Sequence, residues 1–350
     1  MSKISMPAKI FGTVLSHGIR GRMLSKGELQ TLAESRDMDE LVTRIKNTVY
    51  LDAFAKLVKP YTAEKIEGAL REYLVNSHAK MVNITGGSGI LNAYFVKYVI
   101  WNLKIVLKGK ALGKSYEELL PKVNLRAEEL VGRRDIIVKA LVAKSLDEAI
   151  AATAGSEFHE DSSKAAVAFK EKGDLRLFDI YLDHVFYHDL GRAMNAESQS
   201  IDAKKIASVD IDSYNILAIL RGKFWGLSST AISELIVTTT PKVPNDLLQK
   251  MINIEKITEA AGELANTVYK DILPQNAAND IEFILQLETN FEALSVRRVL
   301  GAFRSMFSVG IMVAAIKLMI IEVRNLSAIA AGIEQMVAPE TILTRLIKPE

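Results

Sequence analysis

Two histidines have the clearest chemical spacing in the chain. His184 and His188 lie four residues apart within the segment Asp-His-Val-Phe-Tyr-His-Asp at residues 183–189. On a helix this spacing places both imidazoles on one face, where they can bind a metal ion. The glutamate of a zinc-protease motif is absent between them, and the sequence offers no evident third ligand. We therefore interpret the pair as polar residues on an exposed or half-buried helix face, and we predict no metal site.

Two glycine-rich segments could cradle a phosphate group. Residues 109–115 read Gly-Lys-Ala-Leu-Gly-Lys-Ser, with one residue too few between the glycines for a phosphate-binding loop. This segment also follows a helical pattern instead of a strand, and Ser115 with Glu118 indicates a capping box for the next helix. Residues 85–89, Thr-Gly-Gly-Ser-Gly, lack the dinucleotide-binding spacing and are interpreted as a turn between helices. We predict no cofactor.

The composition excludes several functional classes. The chain has 350 residues, a net charge of +2 and no cysteine. So small a net charge provides no basic surface for nucleic acid, and the lack of cysteine excludes disulfides, thiolate zinc sites and cysteine nucleophiles. No arrangement of serine, histidine and aspartate stands out, so we do not expect an enzyme. The apolar run at residues 306–321 is interrupted by Lys317 and is too short to span a membrane, so it is interpreted as a buried core helix.

Helical periodicity dominates the chain and predicts an all-α fold. Apolar residues recur at helical spacing in residues 39–56, 64–77, 145–153, 247–269 and 281–307. The short β-branched run at residues 237–240 is followed by Pro241 and Pro244, which favours a linker over a strand.

The most informative feature is a threefold internal repeat with a period of about 110 residues. Each copy has an asparagine followed directly by Leu or Ile, and a glycine seven residues later. The three pairs are Asn102 with Gly109, Asn215 with Gly222, and Asn325 with Gly332. Residues seven apart lie on nearly the same face of a helix, so each copy presents an Asn and a Gly in one stripe.

A second motif precedes each of these pairs. Asn-Thr-Val-Tyr at residues 47–50 returns unchanged at 266–269, and Ala-Thr-Ala-Gly at 152–155 is a weaker middle copy. Pro-Lys-Val occurs at residues 121–123 and again at 241–243, at the two expected joints. We therefore predict three helical units, at residues 1–122, 123–240 and 241–350, which dock against each other because no flexible linker separates them.

The repeated residues carry two possible roles. A buried Asn needs hydrogen-bond partners, and a Gly inside a helix indicates close approach of another helix or the end of its own. A carboxylate precedes the Asn by three residues in two copies, as Asp212 and Glu322, whereas the first copy has Val99. We interpret these residues as structural, with a binding surface as the alternative. Basic residues near the ends of the repeated helices mark possible partner-contact regions: Lys110, Lys114, Arg221 and Lys223.

With the repeat laid out, the chain resembles the C subunit family of archaeal-type ATP synthases, whose counterpart in the vacuolar proton pump is the d subunit. The resemblance rests on three stretches: residues 41–52 with the Thr-x-Tyr element, residues 212–228, and residues 322–332 with Glu-Val-Arg-Asn-Leu. It spans essentially the whole chain. The individual motifs are helical core patterns, and their order makes the combination specific.

The resemblance implies a funnel-shaped protein of three similar helical lobes that performs no catalysis. In that family the protein joins the central shaft, made by the D and F subunits, to the proteolipid ring of the membrane sector. It thereby transmits torque on the cytoplasmic side of the membrane, associated through protein partners only. The alternative is a helical-repeat interaction scaffold unrelated to an ATPase; repeats of this length exceed those of solenoids.

Overall fold

The computed structural model describes residues 4–86, 88–197, 200–238 and 242–347, and over these residues the backbone forms helices and turns without a strand. The prediction of an all-α fold is confirmed. The α-helices are α1 (Met6–Arg20), α2 (Lys26–Ala33), α3 (Met38–Lys46), α4 (Leu51–Phe54), α5 (Ala63–Ile84), α6 (Gly89–Ala111), α7 (Tyr116–Leu119), α8 (Arg126–Val131), α9 (Arg134–Val142), α10 (Leu146–Ala151), α11 (His159–Lys172), α12 (Leu177–Ala196), α13 (Ile201–Phe224), α14 (Ser229–Glu234), α15 (Asn245–Asn253), α16 (Ile257–Gly262), α17 (Asp280–Ala302), α18 (Val309–Glu334) and α19 (Pro339–Thr344). Short 3₁₀ helices occupy Leu120–Lys122, Glu263–Asn266 and Lys270–Ile272.

Six long helices, each of 20 to 26 residues, pack in a closed cycle. Following the contacts around the cycle gives the order α5, α6, α12, α13, α17, α18 and back to α5. The three helices that carry the repeated Asn and Gly, α6, α13 and α18, alternate with the other three. Each of these Asn-bearing helices packs on a long helix of the next predicted unit, and α18 near the C-terminus packs on α5 near the N-terminus.

The N-terminal part of α18 is buried in the core. Residues 309–316 are all buried, because this helix contacts α1, α5, α13 and α17 on different sides. The predicted core helix at residues 306–321 therefore exists, although it begins at Val309. Phe307 has a positive φ of 57° and separates α18 from α17. Among the described helices, only α6 is long and apolar enough to cross a membrane by length and composition, and 67% of its apolar window is buried inside the protein.

The Thr motif forms a turn, and two of the predicted helices are wrong in extent. The predicted helix at residues 39–56 is divided at residues 47–50, because the Thr48 hydroxyl donates to the Ile45 carbonyl at 2.6 Å and accepts the Tyr50 N–H at 3.2 Å. Thr267 makes the same bonds toward Leu264 and Tyr269 near the end of the predicted helix at 247–269, which is already divided at residues 254–256, between α15 and α16. A threonine hydroxyl that bonds nearby backbone competes with the helical pattern and ends it.

The apolar core divides into two clusters. One contains buried side chains of α13 to α17, between Ile216 and Phe291, and the other gathers buried side chains from most of the remaining helices. The smaller cluster draws on residues from both sides of the predicted joint at residue 240, and Pro241 lies outside the described residues. Pro121 lies in the 3₁₀ helix Leu120–Lys122. The boundaries of the three units stay a prediction.

Candidate functional site

The repeated asparagines make the same pair of hydrogen bonds in all three copies. Each side-chain amide donates to a backbone carbonyl and accepts the N–H of the same residue, which lies 22 positions later in the chain. The donated bonds measure 2.6, 3.0 and 2.7 Å, and the accepted ones 3.2, 2.9 and 2.9 Å. The pairs are Asn102 with Asn124, Asn215 with Val237, and Asn325 with Ile347. Each Asn thus fastens the segment that follows its helix back onto that helix.

The repeated glycines allow a side chain ten residues later to lie against the helix. A Cβ atom on Gly109 would stand 2.2 Å from a methyl group of Leu119, and one on Gly222 would stand 2.8 Å from Ile232. In the third copy, a Cβ on Gly332 would stand 2.6 Å from Ile342. The glycines are therefore required for the close approach of the short helices α7, α14 and α19.

The two carboxylates near the repeated asparagines bond tyrosines of the Thr motifs. The Tyr269 hydroxyl donates to Asp212 at 2.7 Å, and the Tyr50 hydroxyl donates to Glu322 at 2.6 Å. Burial raises the pKa of the Asp212 carboxyl to about 7, against the lowering effect of the bond from Tyr269. Burial likewise raises the pKa of Glu322.

The first copy lacks both members of this acid–tyrosine pair. Val99 occupies the position of the acid, and Gly155 occupies the position of the tyrosine in the middle Thr motif. A different carboxylate reaches the asparagine there: Glu128 of α8 accepts a bond from the Asn102 amide at 2.6 Å. Burial raises the pKa of Glu128 to about 7.

The four cations expected near partner contacts have different environments. Lys110 is buried and 7% exposed, whereas Lys114 is half-buried. Lys223 donates to the carbonyls of Ile252 and Ile254 at the end of α15. Arg221 pairs with Glu288 of α17 at 2.6 Å and faces a central cavity. Their contact with a partner stays a prediction.

The central cavity has a volume of about 360 Å³ and is walled by α6, α12, α13, α17 and α18. Lys317 lies at its more enclosed part, where it donates to Asp210 and to the Ser295 hydroxyl at 2.8 Å. The Tyr94 hydroxyl donates to the same carboxylate. Side-chain exposure rises from 13% at Lys317 to 61% at Arg324, two turns later on α18, so the cavity opens toward the C-terminal end of that helix.

The cavity lining balances cations against carboxylates. Five basic and five acidic side chains contribute, and most of the charges are paired across helices. The basic ones are Lys97, Lys104, Arg221, Lys317 and Arg324, and the acidic ones are Asp179, Asp183, Asp210, Glu288 and Glu292. Burial lowers the pKa of Lys97, whose ammonium lies 5.5 Å from the centre of the Phe186 ring.

The candidates for metal or phosphate chemistry have ordinary structural partners. His184 bonds Asp161 at 3.0 Å, while His188 is exposed. Within the described part of the chain, no three His, Asp or Glu side chains converge in a metal-binding arrangement. The capping box of Ser115 with Glu118 is confirmed, with bonds of 2.8 and 3.4 Å. The turn at residues 85–89 connects α5 to α6, and Gly87 within it lies outside the described residues.

The comparison with known protein families agrees with the repeated pattern. The ATP synthase (C/AC39) subunit family matches residues 13–345. The chain belongs to this family. It is 25% identical over 342 residues to the C subunit of the A-type ATP synthase of Methanocaldococcus jannaschii, covering 93% of this chain and 83% of that one. It is 27% identical over 332 residues to the corresponding A-type ATP synthase protein of Pyrococcus abyssi, covering 93% and 86%.

Membership of the C/AC39 family makes the chain a non-catalytic subunit of the rotary ATP synthase class. The sequence indicates the Thr-x-Tyr spacing, but it does not predict that the tyrosines bond the carboxylates near the repeated asparagines. The sequence analysis also does not include the apolar residue ten positions after each glycine. Its recurrence as Leu, Ile and Ile at the same offset indicates a contact common to the three copies.

Proposed function

We propose that this C/AC39 family member is the rotor component that connects the D–F shaft to the proteolipid ring and transmits torque between them. On this proposal it serves ion-transport-coupled ATP synthesis or hydrolysis on the cytoplasmic side of the cell membrane. The observation that carries the proposal is the central cavity, which is lined by five of the six long helices. Family membership counts against the alternative of a scaffold unrelated to an ATPase.

Torque transmission requires that the rotor component does not shear under load. The bonds of Asn102, Asn215 and Asn325 fasten each repeated helix to the segment that follows it. The Tyr50–Glu322 bond joins residues that lie 272 positions apart in the chain, and it thereby ties the N-terminal region to α18. Close-packed interiors have low compressibility and transmit strain, which suits a coupling element.

The central cavity is the proposed binding site for the shaft. Its charged pairs are arranged between different helices, and the outermost cation, Arg324, lies at the open part with 61% of its side chain exposed. We propose that the tip of the D–F shaft enters this opening. Three similar lobes around the cavity, built on α6, α13 and α18, are part of the same proposal.

A binding assay with purified components tests the proposal. The chain is mixed separately with the D–F pair and with the detergent-solubilised proteolipid ring, and we expect binding to both. Arg324→Glu reverses the charge at the opening and should weaken D–F binding at least tenfold while ring binding stays unchanged. Arg36→Glu is the matched control, because Arg36 is 85% exposed and pairs with Glu40 in the first turn of α3. A folded chain that binds neither partner contradicts the proposal.

A further inference from the structure

Helix α1 carries four large apolar side chains on the outside. Its buried residues are Gly12, Thr13 and Ser16, all small. Its outer face carries four larger apolar side chains that are 44% to 65% exposed: Met6, Ile10, Phe11 and Val14. A surface helix normally places its large apolar residues toward the core. On α1 only Leu15 and Ile19 pack against the core, and these four side chains face outward.

The inner face of α1 is fixed by close packing. A Cβ on Gly12 would stand 2.1 Å from the Met312 methyl group of α18, so the two helices touch where the glycine lies. The Ser16 hydroxyl donates to the Gly12 carbonyl at 2.6 Å, and the Thr13 hydroxyl accepts the Phe307 N–H at 3.2 Å. With the small residues locked against α18, rotation of α1 cannot bury its outer face.

The loop that contacts Thr13 extends the same apolar surface. Met306 is 69% exposed and Phe307 is 39% exposed. Phe307 has a φ of 57°, a conformation that is uncommon for a large side chain. We define the apolar patch as Met6, Ile10, Phe11, Val14, Met306 and Phe307.

The charged residues of α1 and of the segments that flank it have one sign, while Asp202 near Met306 bonds Ser305 and pairs with Lys205. Residues 4–27 contain the cations Lys9, Arg20, Arg22 and Lys26 and no Asp or Glu. Arg20 lies with its guanidinium 4.9 Å from the centre of the Phe303 ring. Over the part of the chain that the structure describes, none of these four cations forms an ion pair with a carboxylate. A second copy of the chain is a poor occupant, because apposed patches would bring these like charges together.

An exposed apolar helix face flanked by cations is the pattern of helices that lie in the interface of anionic membranes. We propose that the apolar patch binds the surface of an anionic lipid bilayer, with its side chains among the headgroups and its flanking cations near the lipid phosphates. This proposal does not rest on the rotor function. On this proposal, membrane association would not depend on protein partners alone.

The position of the patch leaves the central cavity free. Gly12 of α1 contacts Met312 in the first turn of α18, whereas the cavity is lined by the same helix from Lys317 to Arg324. The apolar patch therefore lies toward the end of α18 opposite the opening of the cavity, and both surfaces can be occupied at once.

Co-sedimentation of the full chain with lipid vesicles tests the proposal. We expect binding to vesicles of phosphatidylglycerol and phosphatidylcholine, weaker binding at high salt, and little binding to phosphatidylcholine alone. The double variant Ile10→Ser, Val14→Ser should reduce the apparent affinity for anionic vesicles at least tenfold. The control Val142→Ser, Val167→Ser replaces two valines that are 57% and 58% exposed on α9 and α11, and it should bind like the unmodified chain.

A fluorescent label provides a second readout, because the chain has no cysteine of its own. Phe11→Cys labelled with an environment-sensitive dye should shift its emission to the blue on adding anionic vesicles, and labelled Val167→Cys should not. Failure of the unmodified chain to bind anionic vesicles overturns the proposal. Unchanged vesicle binding by the Ile10 and Val14 double variant also overturns it. The same holds if this variant loses binding to the detergent-solubilised ring but still binds vesicles.

Discussion

At the scale of single residues, the repeated asparagine replaces a missing backbone partner. Each amide supplies one donor and one acceptor to the backbone of a residue that lies outside the helices. Buried backbone groups need such partners, which explains why a residue with poor helix propensity lies inside three long helices. The sequence predicts that each Asn bonds a neighbouring element. It cannot identify the partner, because Asn124, Val237 and Ile347 contribute only backbone atoms and share no side-chain type.

Replacing Asn215 with Ala should destabilise the fold. The substitution leaves the Val237 N–H and carbonyl buried without their partner, which costs roughly 2–4 kcal/mol of unfolding free energy. Chemical denaturation followed by circular dichroism measures the change. Asn195→Ala on α12 is the control, because Asn195 is exposed and should change stability little. An Asn215→Ala protein with unchanged stability but lost partner binding contradicts the structural role.

Asp212 should make stability depend on pH. Its pKa rises from an ordinary value of 3.8 to about 7 in the folded chain, so the folded state binds more protons than the unfolded state between these values. Stability that depends on this carboxyl is therefore present at low pH and is lost as the pH rises toward 7.

Asp212→Asn removes this titration and keeps an acceptor for the Tyr269 hydroxyl. The stability of the unmodified chain minus that of the variant should fall by about 2–3 kcal/mol between pH 5 and pH 8. Thermal unfolding across this pH range measures the difference, with Asp147→Asn as an exposed control that pairs with Lys170. A difference that is constant across the range contradicts the raised pKa.

At the scale of elements, the three Asn-bearing helices end in the same way. In each copy the N–H twelve residues after the Asn donates to the carbonyl of the repeated Gly, at 2.9, 2.9 and 2.8 Å. The residue before that donor has a positive φ and is Gly113, Gly226 or Met336. This is the hydrogen bond of a Schellman cap, in which glycine is favoured because it has no Cβ. The third copy departs from it with a methionine that is 93% exposed.

Replacing Met336 with Gly should stabilise the chain. A side chain in the left-handed conformation costs roughly 1–2 kcal/mol, and the greater freedom of glycine in the unfolded chain offsets part of the gain. We expect a net increase of about 0.5–1 kcal/mol, measured as a higher melting temperature. Gln335→Gly is the control. Gln335 has an ordinary φ of −90°, so glycine at this position should lower the stability of the chain. A lower melting temperature for Met336→Gly contradicts this explanation of the cap.

Helix existence could be predicted from the sequence better than helix extent. Helices α5 and α10 lie where the apolar periodicity indicates them, whereas residues 39–56 are divided by a Thr turn and residues 247–269 are divided at 254–256. The apolar spacing runs through these turns because both flanking segments bury residues in the same core. At residues 47–50 the helix is broken by a threonine hydroxyl bond to a carbonyl three residues earlier, and apolar periodicity gives no sign of such a bond.

At the scale of the whole molecule, the repeat does not predict the cyclic order in which the long helices pack. A linear series of three units suggests that each packs mainly within itself. In the structure α6 packs on α12, α13 on α17, and α18 on α5, so each Asn-bearing helix packs on the following predicted unit and the last packs on the first. The acid–tyrosine pairs follow the same order, from Asp212 to Tyr269 and from Glu322 to Tyr50. Because such pairings join distant parts of the chain, local sequence signals do not specify them.

The proposed role of this chain is to couple rotation of the shaft to rotation of the ring. ATP-driven ion transport into vesicles measures it directly, with the catalytic sector, shaft and proteolipid ring reconstituted with and without the chain. We predict that ATP hydrolysis without the chain moves no ions and that adding it restores transport in proportion to the amount bound. Ion transport at the same rate with and without the chain would contradict this role.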